Sequence, residues 1–353
     1  MSQHTTMKTI GLDLSDKTAT YVVLDEAGKV ERQGKLELTN GALRKHFLRR
    51  ERSLVAIEVG THSPWVSRAL EEQGHEVVIA NPRQLPLISR ARYKTDAKDA
   101  ETLARLARMD TALLSPIQHR SQQSQEHLAL IHARDQLVQV RTTLINHVRG
   151  TVKAHGERLP SCSSDAFASK VREAIPDGLR PALFPLLEAI AQQTRQIHDY
   201  NKQVEALCRE RYPETAALKQ VPGVGSLTAL TYVLTLEAHE RFSHSRKVGA
   251  YLGLVPRQHQ SGELRPQLHI TRAGDTYLRK LLVQCAHYIL GPFGPDSRLR
   301  RWGLKLAGEG STSRKKRALV AVARKLAVLL HRLWSTGEVY EPFHGMKEAS
   351  MAA

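Results

Sequence analysis

The 353-residue chain carries 52 Lys or Arg against 35 Asp or Glu, a formal charge of +17, with 41% hydrophobic residues and only 22 Gly and 15 Pro. This composition excludes a disordered or fibrous chain, the length calls for two or three folded units, and the charge favours a polyanionic partner, because Lys and Arg placed on phosphates release condensed counterions. Cys162, Cys208 and Cys285 are too far apart for a disulfide framework or a close-spaced zinc motif, and no apolar run approaches the roughly 20 residues of a membrane span, so a soluble cytoplasmic protein with no membrane partner is expected.

Residues 8–14, 19–25 and 30–38 read as three short strands joined by Asp16-Lys17 and Ala27-Gly28, an antiparallel meander. A polar helix near 40–50, a strand at 53–59, a helix near 62–73 and a strand at 76–80 closed by Asn81-Pro82 follow, and their alternation predicts parallel strands with crossover helices. A helix over about 95–109 then begins with Thr95 as its cap. The order βββαβαβα is that of an RNase H-like domain.

Residues 121–153 read as one long helix. A second, starting after Pro181, places Leu183, Leu187, Ile190, Thr194, Ile197, Asn201, Val204 and Cys208 at alternating steps of four and three, the spacing of a coiled-coil seam. Asn201 sits on that seam as a register-fixing polar residue would, and the stretch between the helices is loop-rich. Pro222-Gly223-Val224-Gly225 lies between two apolar helical segments, as in a helix-hairpin-helix, where Gly223 and Gly225 can offer backbone N–H groups to a phosphate. Residues 246–254, a loop at 255–269, a helix near 272–290 and another near 314–335 complete the chain. The expected division is an α/β catalytic domain at 1–115, a coiled-coil oligomerisation segment at 116–212, a mainly helical basic domain at 213–340 and a tail at 341–353.

Asp13 falls mid-strand between Leu12 and Leu14, and Glu58 ends a second apolar strand; neither is a place for a carboxylate unless its face opens on a site. Asp96 and Asp99, three residues apart, share one face of their helix. Four converging carboxylates would repel one another, and Mg²⁺, which takes oxygen ligands and keeps water and phosphate in its shell, offsets that repulsion and suits phosphodiester chemistry. The competing explanation puts Asp13 in a turn and leaves Asp96 and Asp99 to complement the helix dipole.

Positive charge is concentrated late in the chain. Residues 241–337 hold 19 Lys or Arg against four acids, Glu263, Asp275, Asp296 and Glu309. Within them the loop Pro256-Arg257-Gln258-His259-Gln260-Ser261-Gly262 sets a hydroxyl among cations, the surroundings an attacking serine needs, although a Ser-Gly pair in a polar loop is usually a turn. Arg257, His259, Arg265, Arg272, Arg279 and Lys280 are candidate nucleic-acid contacts, as is the run Arg314-Lys315-Lys316-Arg317.

The segments GLDLSDKTATYVV, AIEVG, YKTDAKDAETLA, RTTLINHVRG, VPGVGSLTAL, AYLGLVPRQHQSG and ITRAGDTYLRKLL, spread over nearly the whole chain, resemble in order and spacing the motifs of the IS110 family of DEDD transposases, in its IS1111-like branch. The resemblance implies a RuvC-like N-terminal domain, a coiled coil, and a C-terminal transposase domain. It implies Mg²⁺, with Mn²⁺ as a substitute, at Asp13, Glu58, Asp96 and Asp99, and Ser261 as the nucleophile. It also implies a structured non-coding guide RNA and a tetramer, a dimer of dimers, in which the two catalytic domains meet across subunits on DNA. Three rivals remain: a RuvC-like structure-specific nuclease in which water attacks, a non-catalytic nucleic-acid-binding protein, and an actin-like ATPase, which the absence of later Gly-rich phosphate loops disfavours.

Overall fold

The computed structural model describes residues 7–48, 50–81, 95–258 and 268–343, and its contacts divide the chain into two compact units, Met1–Arg120 and Ser121–Ala353. No described helix is long and apolar enough to cross a membrane.

The first unit is built on a five-stranded sheet ordered β3-β2-β1-β4-β5, from β1 (Thr9–Leu14), β2 (Thr18–Leu24), β3 (Val30–Glu37), β4 (Leu54–Glu58) and β5 (Glu76–Ala80). The first three strands form the expected antiparallel meander, and β4 and β5 run parallel to β1 as the crossover helices require. The topology is compatible with an RNase H-like domain. Helices α1 (Asn40–Phe47) and α2 (Ser63–Glu71) cover one face, where Ile10, Leu12, Val55 and Ile57 meet Leu43, Phe47, Val66 and Leu70. Helix α3 (Asp96–Met109) covers the other, where Leu103 and Ala107 meet Leu54, Ala56 and Ala80. Pleating explains the division, since successive residues of one strand point to opposite faces.

Under α1 the rings of Tyr21, His46, Phe47 and His75 are in serial contact, and Arg50 lies over Tyr21. Arg50 Nη2 donates to His46 Nε2 at 2.8 Å, which requires an unprotonated nitrogen there, and the backbone N–H of Ser53 donates to His75 Nδ1 at 3.3 Å. Burial, reinforced by Arg50 and Arg32, pushes His46 down to about 4, and burial also lowers His75.

The second unit is helical. Its α4 (Gln122–Ala154) and α6 (Arg180–Glu210) form an antiparallel hairpin: Leu128 and Ile131 meet Val204 and Cys208 at one end, and Ile145, Val148 and Val152 meet Leu183, Leu187 and Ile190 at the other. The seam read on α6 is therefore filled by a helix of the same chain. Its two polar positions face arginines of α4: Arg134 donates to Asn201 Oδ1 at 2.7 Å, and buried Arg141 donates to Thr194 Oγ1 at 3.1 Å and to Asp165 Oδ1 at 2.6 Å. Asp165 comes from the segment between the helices. That segment is loop-rich as expected, with one short helix, α5 (Phe167–Lys170), and it closes the hairpin's end with Phe167, Val171 and Ile175.

The larger core centres on α8 (Ser226–Leu236), buried on nearly all sides, with Tyr232 donating to the Ala327 carbonyl at 2.6 Å. Around it pack α7 (Thr215–Lys219), α9 (Arg246–Tyr251), α10 (Thr276–Leu290), α11 (Arg298–Ala307) and α12 (Thr312–Thr336). The sequence reading did not single out α11, although Ser297, whose side chain accepts from Arg300 N at 3.1 Å, is a regular helix cap.

His46 and His75 have folded-state values below the ordinary 6.5, so the stability they confer is fully present above pH 6.5 and is lost as the pH falls toward their folded values. The thermal midpoint of the first unit should therefore drop between pH 6.5 and 4.5, and His46→Gln should flatten that part of the profile; equal profiles for both proteins would contradict this assignment.

Candidate active site

Leu12 of β1 is paired with Ile57 of β4, so Asp13 and Glu58 are the next residues in register on two adjacent parallel strands. Both fall on the face covered by α3, two residues beyond Gly11 and Ala56. The contact at Gly11 is close: a Cβ there would overlap the Ala100 carbonyl oxygen and come within 2.8 Å of Ala104 N. Only glycine lets α3 lie this near β1.

The direction of α3 decides which end of the sheet its acids reach. Near its C-terminus Arg105 and Arg108 donate to the carbonyls of Gly28 and Glu26, in the β2–β3 turn beside the start of β1. At its N-terminus Asp96 pairs with Lys35 at 3.1 Å, and Lys35 lies on the cross-strand row Lys35–Thr20–Asp13. Helix α3 thus runs opposite to β1, and its first turn lies over the carboxyl end of that strand. Thr95 caps the helix as expected, accepting from Lys98 N at 3.3 Å. Asp99 is buried one turn before Leu103, whereas Asp96 is half exposed and held outward by Lys35.

Asp13, Glu58, Asp96 and Asp99 are thereby brought to one edge of the sheet. Among the described residues no three His, Cys, Asp or Glu side chains close into a group that could hold a metal ion. The donor chemistry still fits a hard divalent cation, since every candidate ligand is a carboxylate oxygen.

Sequence reasoning passed over the neighbours of this edge. His62, just after β4, accepts at Nδ1 from Trp65 Nε1 at 3.1 Å and turns Nε2 toward Asp16 at 3.8 Å, in the β1–β2 turn. Ser63 Oγ lies 2.9 Å from His119 Nε2, and burial, then Arg68 and Arg120, lower the His119 pKa. The signal available was the density of polar residues after an apolar strand, Thr61-His62-Ser63, which by itself reads as a helix start.

In the second unit, Ser261, His259 and Arg265 lie outside the described residues. The chain on either side of them is paired: Arg257 N donates to the His269 carbonyl and Thr271 N to the Val255 carbonyl, each at 2.9 Å. Arg257 and Arg272 are exposed, and Arg272 adopts a left-handed φ of 55°. Arg279 is buried, and its guanidinium donates to the Leu252 and Ala273 carbonyls and to Thr276 Oγ1, so these donors fasten the preceding loop. Lys280 pairs with Asp135 of α4 at 3.1 Å. Gly223, at φ +90°, packs on the Tyr288 ring, while Gly225 opens α8 with free space beside it.

Residues 10–156 match the model for IS110-type DEDD transposases, described as "Transposase", and residues 215–299 match the "Transposase IS116/IS110/IS902 family". The chain belongs to the IS110 family of transposases. It is similar to the transposase for insertion sequence element IS1111A of Coxiella burnetii (27% identical, covering 95% of this chain and 91% of the relative) and to the IS1328 transposase of Yersinia enterocolitica (27%, covering 85% and 92%). It is also similar to the pilin gene-inverting protein of Moraxella bovis, 25% identical over 84% of each chain. The first match begins on β1 and takes in the whole acidic edge, and the second spans α7 through the start of α11.

The Gly11 contact yields a direct check. Gly11→Val should destabilise the full chain by about 1–3 kcal/mol in denaturant unfolding, the usual cost of overpacking; unchanged stability would show that α3 does not rest on β1 here.

Proposed function

We propose that this transposase cuts and exchanges DNA strands by transesterification, with Ser261 as nucleophile and the edge formed by Asp13, Glu58, Asp96 and Asp99 as the holder of divalent cations. The observation that carries the proposal is the placement of four carboxylates, from two parallel strands and one helix, at a single edge of the sheet. It is supported by the relatives' names, which are those of insertion-sequence transposases and of a gene-inverting protein.

Asp13, Glu58 and Asp99 would hold Mg²⁺ or Mn²⁺, with Asp96 joining them if it leaves Lys35; when bound, such a cation supplies charge stabilisation at the phosphate oxygens. Ser261 Oγ gives up its proton and attacks phosphorus, a seryl phosphodiester forms, and the departing strand leaves as a protonated hydroxyl. The number of phosphoester bonds is conserved, so a hydroxyl from the incoming strand can reverse the step, releasing Ser261 and joining new ends without an energy-supplying cofactor. The proposal includes a structured non-coding guide RNA and assembly as a dimer of dimers. The excess of 19 cations over four acids in residues 241–337 supports contact with more nucleic acid than a single duplex segment.

With element-end DNA, Ser261→Ala should abolish the covalent protein–DNA adduct seen under denaturing conditions. Asp13→Ala and Asp99→Ala should lower strand cleavage at least about 100-fold, as expected when charge stabilisation in a site is lost. Free DNA ends without any adduct would assign the attack to water and the chain to structure-specific nuclease chemistry. Full activity in EDTA would remove the cation from the mechanism.

A further inference from the structure

The second unit carries a groove of about 1600 Å³ between α11, α12, the segment 268–272 and residues 338–342. Nine Lys or Arg line it, against two acids, Glu338 and Glu341, and Glu338 is paired with Arg332 at 2.7 Å. Its floor is apolar. Leu299, Trp302 and Leu306, along one side of α11, face Val320, Val328 and Leu329 of α12. Lys325 holds its ammonium 3.8 Å from the centre of the Trp302 ring, which covers part of its side chain. Burial, then Arg298, lower the Lys325 pKa, the effect that an arriving phosphate reverses. Pro256 and Leu268–Ile270, which flank the segment carrying Ser261, line the same groove.

Cationic walls over an apolar aromatic floor discriminate between ligands. A duplex keeps its bases stacked inside and offers such a groove mainly phosphates, which need no apolar floor. A single strand presents phosphates and bare base faces together, and these match walls and floor at once. A second copy of this chain is a poorer fit, because a protein of formal charge +17 would bring more positive charge to positive walls.

We propose that this groove binds a single, unpaired strand of DNA, with its phosphates on the Lys and Arg walls and its bases against the aliphatic floor and the Trp302 ring, from which the Lys325 ammonium withdraws to a phosphate. The assignment rests on the proposed role of Ser261 only for the choice of DNA: a groove lined by the stems of the nucleophile's segment would hold the strand separated for cutting.

The test measures binding of fluorescent oligo(dT) and of a hairpin duplex of equal length by the full-length protein at fixed salt. Trp302→Ala should weaken oligo(dT) binding about 10-fold, the scale of one lost base–aromatic contact, with duplex binding changed less than about twofold. Trp302→Phe should retain most of the affinity. Should Trp302→Ala fail to fold, as judged by its melting curve, Lys325→Ala carries the test, with a salt slope for oligo(dT) reduced by about one. Unchanged oligo(dT) affinity, or equal losses for single strand and duplex, would overturn the proposal. So would Trp302-dependent binding of oligo(rU) in place of oligo(dT), or a change of oligomeric state in Trp302→Ala without a change in strand binding. Ser261→Ala separates the two hypotheses. If it loses the adduct while Trp302→Ala binds strands normally, the groove assignment fails alone; if its adduct persists while the Trp302 effect is seen, the nucleophile assignment fails alone.

Discussion

The close contact of Gly11 with the backbone of α3 is the constraint on which the acidic edge depends. Parallel pairing of β1 and β4 aligns Asp13 with Glu58, but the acids of α3 reach the same edge only because that helix lies against β1 and runs opposite to it. Any side chain at position 11 would lift the helix. Lys35 adds a second level of control, since it reaches Asp96 from the far end of the Asp13 row and holds one of the four acids outward. An exposed pair of this kind contributes little stability, so it can exchange at small cost for a better partner.

A different logic holds the second unit. Its hairpin is apolar at both ends and polar where Asn201 and Thr194 meet Arg134 and Arg141. Sliding either helix by one turn would leave these groups without their partners, at a cost larger than the bonds themselves contribute. The Arg141–Asp165 pair extends the fixed register to the connecting segment, and Arg141 holds the Asp165 carboxyl below the usual carboxylate range. Arg279 performs a related task near the chain that carries Ser261, fastening the loop through backbone carbonyls.

Much of this was legible in the amino-acid order because it is local or periodic. The meander, the two parallel strands and the cap at Thr95 follow from alternation, turn residues and capping chemistry, whereas the carboxylates of Asp13, inside its apolar strand, and Glu58, at the end of its own, are aligned only by the pairing of β1 with β4. The hairpin seam was visible as a heptad pattern, but a pattern names a seam and not its partner: α4, from the same chain, fills it. Arg279 read as a phosphate contact because charge is apparent in sequence while its bonds to the Leu252 and Ala273 carbonyls are tertiary. For the same reason the groove beside α11 escaped notice. Trp302 and Lys325 are 23 residues apart, and only packing of α11 on α12 brings them together.

The central claim is that the edge of β1, β4 and α3 is a cation-binding catalytic centre, and Mn²⁺ binding followed by electron paramagnetic resonance tests it without requiring activity. Wild-type protein should bind Mn²⁺ in competition with Mg²⁺, and Glu58→Gln and Asp99→Asn should each weaken that binding while leaving the melting temperature of the protein near that of the wild type. Undiminished Mn²⁺ binding in both variants would contradict the account and place the cation, and with it the chemistry, elsewhere in the chain.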